Sequence, residues 1–245
     1  MDPQGSIFLA INIAMIKVGV FGDSFASHGD PDCTWASVLS KLDDKITVTN
    51  HGYMGSSLWF TYQQLREHAH KYTHIVVMVT QWGRYKLPGL TSPSCHVPGI
   101  GTLEEKLRGE LAPQDKTIFE SLLNWMIHCR DDEQEKLYHQ LLVTHIYSTF
   151  HKTANFLMVP CFNPDHSGII PGWTGPCMMD ISFKDTTIPG WSDSVLADDP
   201  RPCHMNRANN ERFAHMVLGW VHGAKFKIKL NDYVEGQPWE IGIKT

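Results

Sequence analysis

"KVGVFGDSFASHG", residues 17–29, is the stretch on which the fold turns. Residues 17–21 alternate β-branched and aromatic side chains with glycine and read as a short buried strand. Gly22 marks the bend where that strand stops, which leaves Ser24 at a strand's end. Four runs of this kind occur, over residues 16–21, 46–50, 74–80 and 155–160. Segments with helical spacing lie between them. Trp35, Val38, Leu39 and Leu42 form one apolar stripe, Leu58, Tyr62, Leu65 and Ala69 a second, and Ile118, Leu122, Trp125 and Cys129 a third. Residues 133–152 are helical in composition, and residues 206–222 carry Phe213, Val217 and Trp220 on one face. Strands alternating with helices imply parallel β-α-β units in a three-layer α/β/α sandwich with a mainly parallel sheet. Ligands of such sheets bind beyond the carboxyl ends of the strands, the edge where Ser24 stands.

Composition narrows the function classes. The chain has 245 residues, 42% of them hydrophobic and 19% charged, enough for a sizeable core. Lys and Arg number 21 against 26 Asp and Glu, and the net charge of −5 offers no attraction to phosphate backbones or anionic lipid. No nucleic-acid partner is expected. The six cysteines (Cys33, Cys95, Cys129, Cys161, Cys177 and Cys203) form no C-x-x-C pair, and the expectation is mostly reduced thiols. The first apolar run, residues 6–16, lacks a basic flank and is shorter than a membrane span. The expectation is a chain with no membrane span and no secretory signal, cytoplasmic or otherwise not exported by that route.

The organisation expected is an N-terminal extension over residues 1–14, one α/β domain over 15–223, and a tail over 224–245 that offers a further strand. Two Pro- and Gly-rich insertions interrupt the domain, residues 86–113 and 161–202. The second holds Trp173, Met178, Met179 and Trp191 and reads as a packed lid. Its tryptophans either anchor the loop or contact a ligand.

Three stretches carry candidate chemistry. A serine on a strand-to-helix turn exposes its hydroxyl while its own N–H points into the same small volume, an arrangement suited to nucleophilic attack and oxyanion stabilisation. Asp23 beside it is a natural turn or cap residue. In "NHGYMGSS", residues 50–57, Gly55 brings a bare backbone N–H toward a helix start, where the potential is positive. In "CHMNRANNERFAHMVLGWV", residues 203–221, His204 precedes a helix that Asn206 would cap and is placed to act as general base.

The order of these motifs, "VFGDSFA", "NHGYMGSS" and "PCHMNRANNERFA", resembles the SGNH (GDSL-like) hydrolase superfamily, whose fold is flavodoxin-like. The resemblance covers roughly residues 16–222 as a strand-helix pattern. It implies Ser24 as nucleophile, the N–H groups of Ser24 and Gly55 in an oxyanion hole, and His204 as base. Two departures stand out. The family's Gly-x-Asn-Asp motif after the third strand is replaced by "VTQWGR", residues 79–84, where Gln81 offers an amide donor and Arg84 a charge. The acid three residues before the histidine is replaced by Arg201, with Asp199 the nearest substitute. The resemblance therefore implies a serine esterase acting on acetylated sugars, lipids or small acyl esters, with no metal or organic cofactor. Asp23, Trp82, Arg84, Trp173 and Trp191 are the candidate substrate contacts. The rivals are a binding module with a decayed site for a carbohydrate or protein partner, and an acyltransferase using the same residues.

Two other constellations read as structural. His68, His70 and His74 in "HAHKYTH" would need a shared face to hold a metal. On a helix, His70 and His74 share one, but His68 and His70 lie about 200° apart. Cys203 next to His204 points the other way and reads as a small buried hydrophobe.

Overall fold

Residues 15–27, 34–85, 107–109, 113–184, 205 and 207–233 are described by a computed structural model. Four strands, β1 (Ile16–Gly22), β2 (Ile46–Asn50), β3 (His74–Val79) and β4 (Asn155–Pro160), form one sheet in the order β2-β1-β3-β4. Every pairing is parallel, with Val20 opposite Asn50 and Val76, and Val77 opposite Met158. The helices are α1 (Trp35–Leu42), α2 (Leu58–His68), α3 (Pro113–His128), α4 (Asp132–Phe150), α5 (Pro164–Ser167), α6 (Met178–Lys184) and α7 (Arg207–Val221).

The layers follow from alternation along β3, which is buried at every position. Val76 and Met78 face one core with Trp35 and Leu39 of α1 and Phe213 and Val217 of α7. Ile75, Val77 and Val79 face the other, with Leu65 of α2 and Val143 and Ile146 of α4. A strand covered on both faces reads as a continuous apolar run, "HIVVMV" here, because parallel crossovers place helices on each side of the sheet. Trp35 anchors the first core, its ring edge-on to Phe213 at 5.1 Å between centroids. Local caps set the helix starts. Thr34 accepts a bond from the Ser37 N–H, Ser57 from Phe60, and Asp131 from Glu133 and Gln134.

The expected sandwich is the observed one, with four adjustments. β1 extends to Gly22, and β3 stops at Val79, one residue short of the expected end. The buried face of α3 is Phe119, Leu122 and Met126, not the stripe through Ile118 and Cys129. Leu122 belongs to both sets and Trp125 packs against this face, while Ile118 and Cys129 do not join it. Residues 161–184, read as loop, contain α5 and α6. Their Cys177, Met178 and Ile181 are buried against the first core. His74 is not on a helix with His70. It opens β3, pairs with Thr73 Oγ1 at 3.0 Å and Asn155 Nδ2 at 2.9 Å, and sits edge-on to Trp220.

Among the described residues the tail adds no strand. Residues 224–233 pack Ile228 and Tyr233 into the first core and form a short 3₁₀ turn at Leu230–Asp232. Residues 1–14 and 234–245 and most of 86–113 and 185–206 lie outside the described residues.

Candidate functional site

In the order β2-β1-β3-β4 the connection after β1 runs to one side and the connection after β3 to the other, which opens a crevice between the carboxyl ends of these two central strands. Gly22 is obligatory there: its φ is +142°, and a Cβ would meet the Met78 carbonyl oxygen at 2.5 Å. The chain then closes a tight turn. The Asp23 carbonyl accepts the N–H groups of Ala26 (3.0 Å) and Ser27 (2.8 Å), while Asp23 Oδ1 accepts the Phe25 N–H at 3.0 Å. Ser24 sits within this turn, 8% exposed. Phe25 buries its ring edge-on to Phe162, and its carbonyl accepts the Trp35 indole N–H at 2.8 Å.

The loop after β2 is tied to the same point. Gly22's carbonyl accepts both the Tyr53 N–H (2.9 Å) and the Ser56 hydroxyl (3.1 Å). Gly55, between them in sequence, has φ +72° and leads into the N-terminus of α2. Its flanks are solvent-facing and apolar: Tyr53, Met54 and Trp59 are 40%, 52% and 49% exposed. Asn50 joins the two turns, donating from Nδ2 to the Ala26 carbonyl and accepting the Gly52 N–H on Oδ1.

The third wall follows β3. Gln81 is half-buried at the carboxyl edge. Trp82 lies beneath two cations, Arg130 at 5.0 Å and Lys136 at 5.5 Å from its ring centroid. Arg84 turns to the other side of the sheet. Its Nη1 is 2.6 Å from Asp23 Oδ2, and its guanidinium lies 5.2 Å from the Phe162 ring centre. The two side chains are 7% and 0% exposed. Both oxygens of Asp23 are thus engaged by the protein itself.

A cavity of about 560 Å³ lies on the far flank, lined by Trp82, Glu133, Lys136, His139, Asp165 and Ile169 among others. His139 Nε2 faces the Ser167 carbonyl at 3.2 Å, and burial holds its pKa down at about 4. Among the described residues, neither thiol near the site is poised to act. Burial, reinforced by the nearby Asp23 charge, pushes Cys161 well up, and burial pushes Cys177 up to about 12. Cys129, Cys161 and Cys177 are all free thiols.

The structure brings Asp23, Ser24, Arg84 and the Gly55 loop to one edge, with Gln81 at the end of the neighbouring strand. Trp173 is half-buried, donates its indole N–H to the Gly175 carbonyl at 2.8 Å and packs against Phe226. It anchors its loop. His204, Asp199 and Trp191 lie outside the described residues, as does Asn206. Sequence reading missed Asn50, Asn210 and the exposed Tyr53, Met54 and Trp59. Asn50 was legible as an Asx-turn residue at a strand's end. Asn210 accepts the Trp35 N–H at 3.0 Å and donates to the Met205 carbonyl at 2.8 Å, a bridge over 175 positions that no local signal announces.

No family model and no curated protein matches the chain. Among solved structures it is similar to a protein described as lipolytic, of the G-D-S-L family, from Desulfitobacterium hafniense DCB-2. The identity is 13% over 84% of this chain and 98% of that one, with a TM-score of 0.33. It is similar at the same identity and TM-score to the acetyl xylan esterase AlAXEase, over 84% of this chain and all of that one.

Proposed function

We propose that the chain is a serine esterase that works through an acyl-enzyme on Ser24. The observation that carries this reading is the turn at the carboxyl end of β1: it holds Ser24 at the switch point of a parallel sheet and is bonded through Gly22 to a glycine loop at a helix N-terminus.

His204 takes the Ser24 hydroxyl proton as the oxygen attacks the ester carbonyl, and Asp199 orients the imidazole. The N–H groups of Ser24 and Gly55, with the Gln81 side-chain amide, stabilise the tetrahedral oxyanion. Collapse expels the alcohol, which takes the proton from His204. Water then attacks the acyl carbonyl as His204 takes its proton; collapse breaks the bond between Ser24 Oγ and the acyl carbon, releases the acid and returns that proton from His204 to Ser24. Met205, the residue after His204, supports this assignment. Its carbonyl is bonded to Asn210, Asn210 to Trp35, and Trp35 to the Phe25 carbonyl, next to Ser24. Tyr53, Met54 and Trp59 offer the substrate an apolar rim beside Gly55, so the esters expected carry a sugar ring or an acyl chain on that side.

The test is p-nitrophenyl acetate hydrolysis and labelling by a fluorophosphonate. The wild type turns over and is labelled on Ser24, and Ser24→Ala loses at least about 10³-fold in rate. Wild-type turnover that survives Ser24→Ala removes the nucleophile.

A further inference from the structure

Arg84 is the cation that the sequence offers to a substrate, yet its guanidinium is spent inside the protein. It is 7% exposed, lies on the Phe162 ring and meets Asp23 at 2.6 Å. Asp23 is the residue before Ser24, and its other carboxylate oxygen accepts the N–H of the residue after. The carboxylate thus spans the serine, held on one side by Phe25 and on the other by Arg84. The bridge also crosses the crevice between the carboxyl ends of β1 and β3, which no backbone bond closes beyond Gly22 and Met78.

We infer that Arg84 is a positioning residue for Ser24: through the buried Asp23 carboxylate it sets the turn from which the Ser24 hydroxyl attacks, and it does not contact substrate. This rests on the serine esterase reading above. Three features support it. The pair is enclosed, so an incoming anion would have to displace Asp23 to reach the guanidinium. The ring of Phe162, from the strand end beyond β3, fixes the guanidinium plane, and a single point charge would lack that constraint. The backbone bonds that close the turn, from the Ala26 and Ser27 N–H groups to the Asp23 carbonyl, converge on the residue that Arg84 holds.

A displacement of about 1 Å at a nucleophile costs on the order of 10²-fold in rate. The expected result is therefore that Arg84→Met lowers kcat about 100-fold with KM unchanged, and Arg84→Lys, which keeps the buried charge paired, recovers about tenfold of that loss. Rates are taken per folded molecule, from the full chain and below each variant's thermal midpoint, with p-nitrophenyl acetate as substrate and fluorophosphonate labelling of Ser24 as the second readout. If Arg84→Met does not fold, Arg84→Lys alone decides: slower labelling at unchanged KM supports the role. Labelling at the wild-type rate overturns it. A loss confined to KM also overturns it, because Arg84 would then be a substrate ligand. Wild-type protein that neither turns over nor labels overturns the esterase reading and this role with it. A wild type that labels alongside an equally fast Arg84→Lys overturns the role alone.

Discussion

Two ion pairs stand on opposite flanks of the sheet's carboxyl edge with nearly the same geometry. Arg84 meets Asp23 at 2.6 Å, and Lys136 meets Glu133 at 2.7 Å. Their surroundings differ completely. The first pair's side chains are 7% and 0% exposed, the second's 41% and 83%. Distance alone would rank them equal. Burial does not, because a charge left without its partner in a dry site cannot recruit water, whereas one on a surface helix can. The comparison separates charge that holds the candidate nucleophile's turn from charge that decorates the rim of a cavity.

The strongest way to break this contrast is to remove one acid from each pair. Asp23→Ala strands the Arg84 guanidinium and frees the Phe25 N–H, and is expected to cost about 3–5 kcal/mol in denaturant unfolding. A loss of well under that range would mean that the guanidinium finds another partner. The next effect comes from His139, on the cavity flank. Its folded pKa of about 4 lies below its ordinary 6.5, so the unfolded chain binds the proton first as pH falls. The stability this group contributes is complete above pH 6.5 and drains as pH drops toward 4, by up to about 3 kcal/mol. Urea midpoints measured across that window for wild type and His139→Gln would show the slope flattened in the variant; equal slopes would place the titration elsewhere. The smallest effect belongs to the exposed pair. Glu133→Ala is expected to leave the thermal midpoint unchanged within error, and a shift approaching that of Asp23→Ala would erase the distinction drawn here.

The same contrast explains what was legible beforehand. β3 was readable because it needs covering on both faces, which residues 74–79 show as uninterrupted hydrophobicity, whereas β2, at the sheet edge and mostly exposed, was readable from its β-branched residues. The bend at Gly22 was readable because few other residues tolerate it. The stripe of α3 was half right: Leu122 and Trp125 lie on the packed face, but Ile118 and Cys129 do not, because neighbouring sets of positions share helical spacing and only contact with other residues chooses between them. α5 and α6 escaped because they are short and lie among Pro and Gly, where local composition signals loop while burial of Met178 and Ile181 maintains helix. Arg84 was read as a charge offered to a substrate, and its partner in the fold was invisible: Asp23 lies 61 positions away, across a β-α-β crossover. Trp82 and Trp173 stood out as aromatics, while the exposed ones beside Gly55 did not, since exposure is a property of the assembled surface.

Periodicity and turn chemistry are local, so the sequence by itself determined an alternating α/β chain with a serine at the end of its first strand. Which charges face each other, and which aromatics reach solvent, depends on contacts between segments tens to hundreds of residues apart. Tertiary packing alone decided that Arg84 serves Asp23, because only the closed sheet brings those two strand ends together and shuts water out from between them.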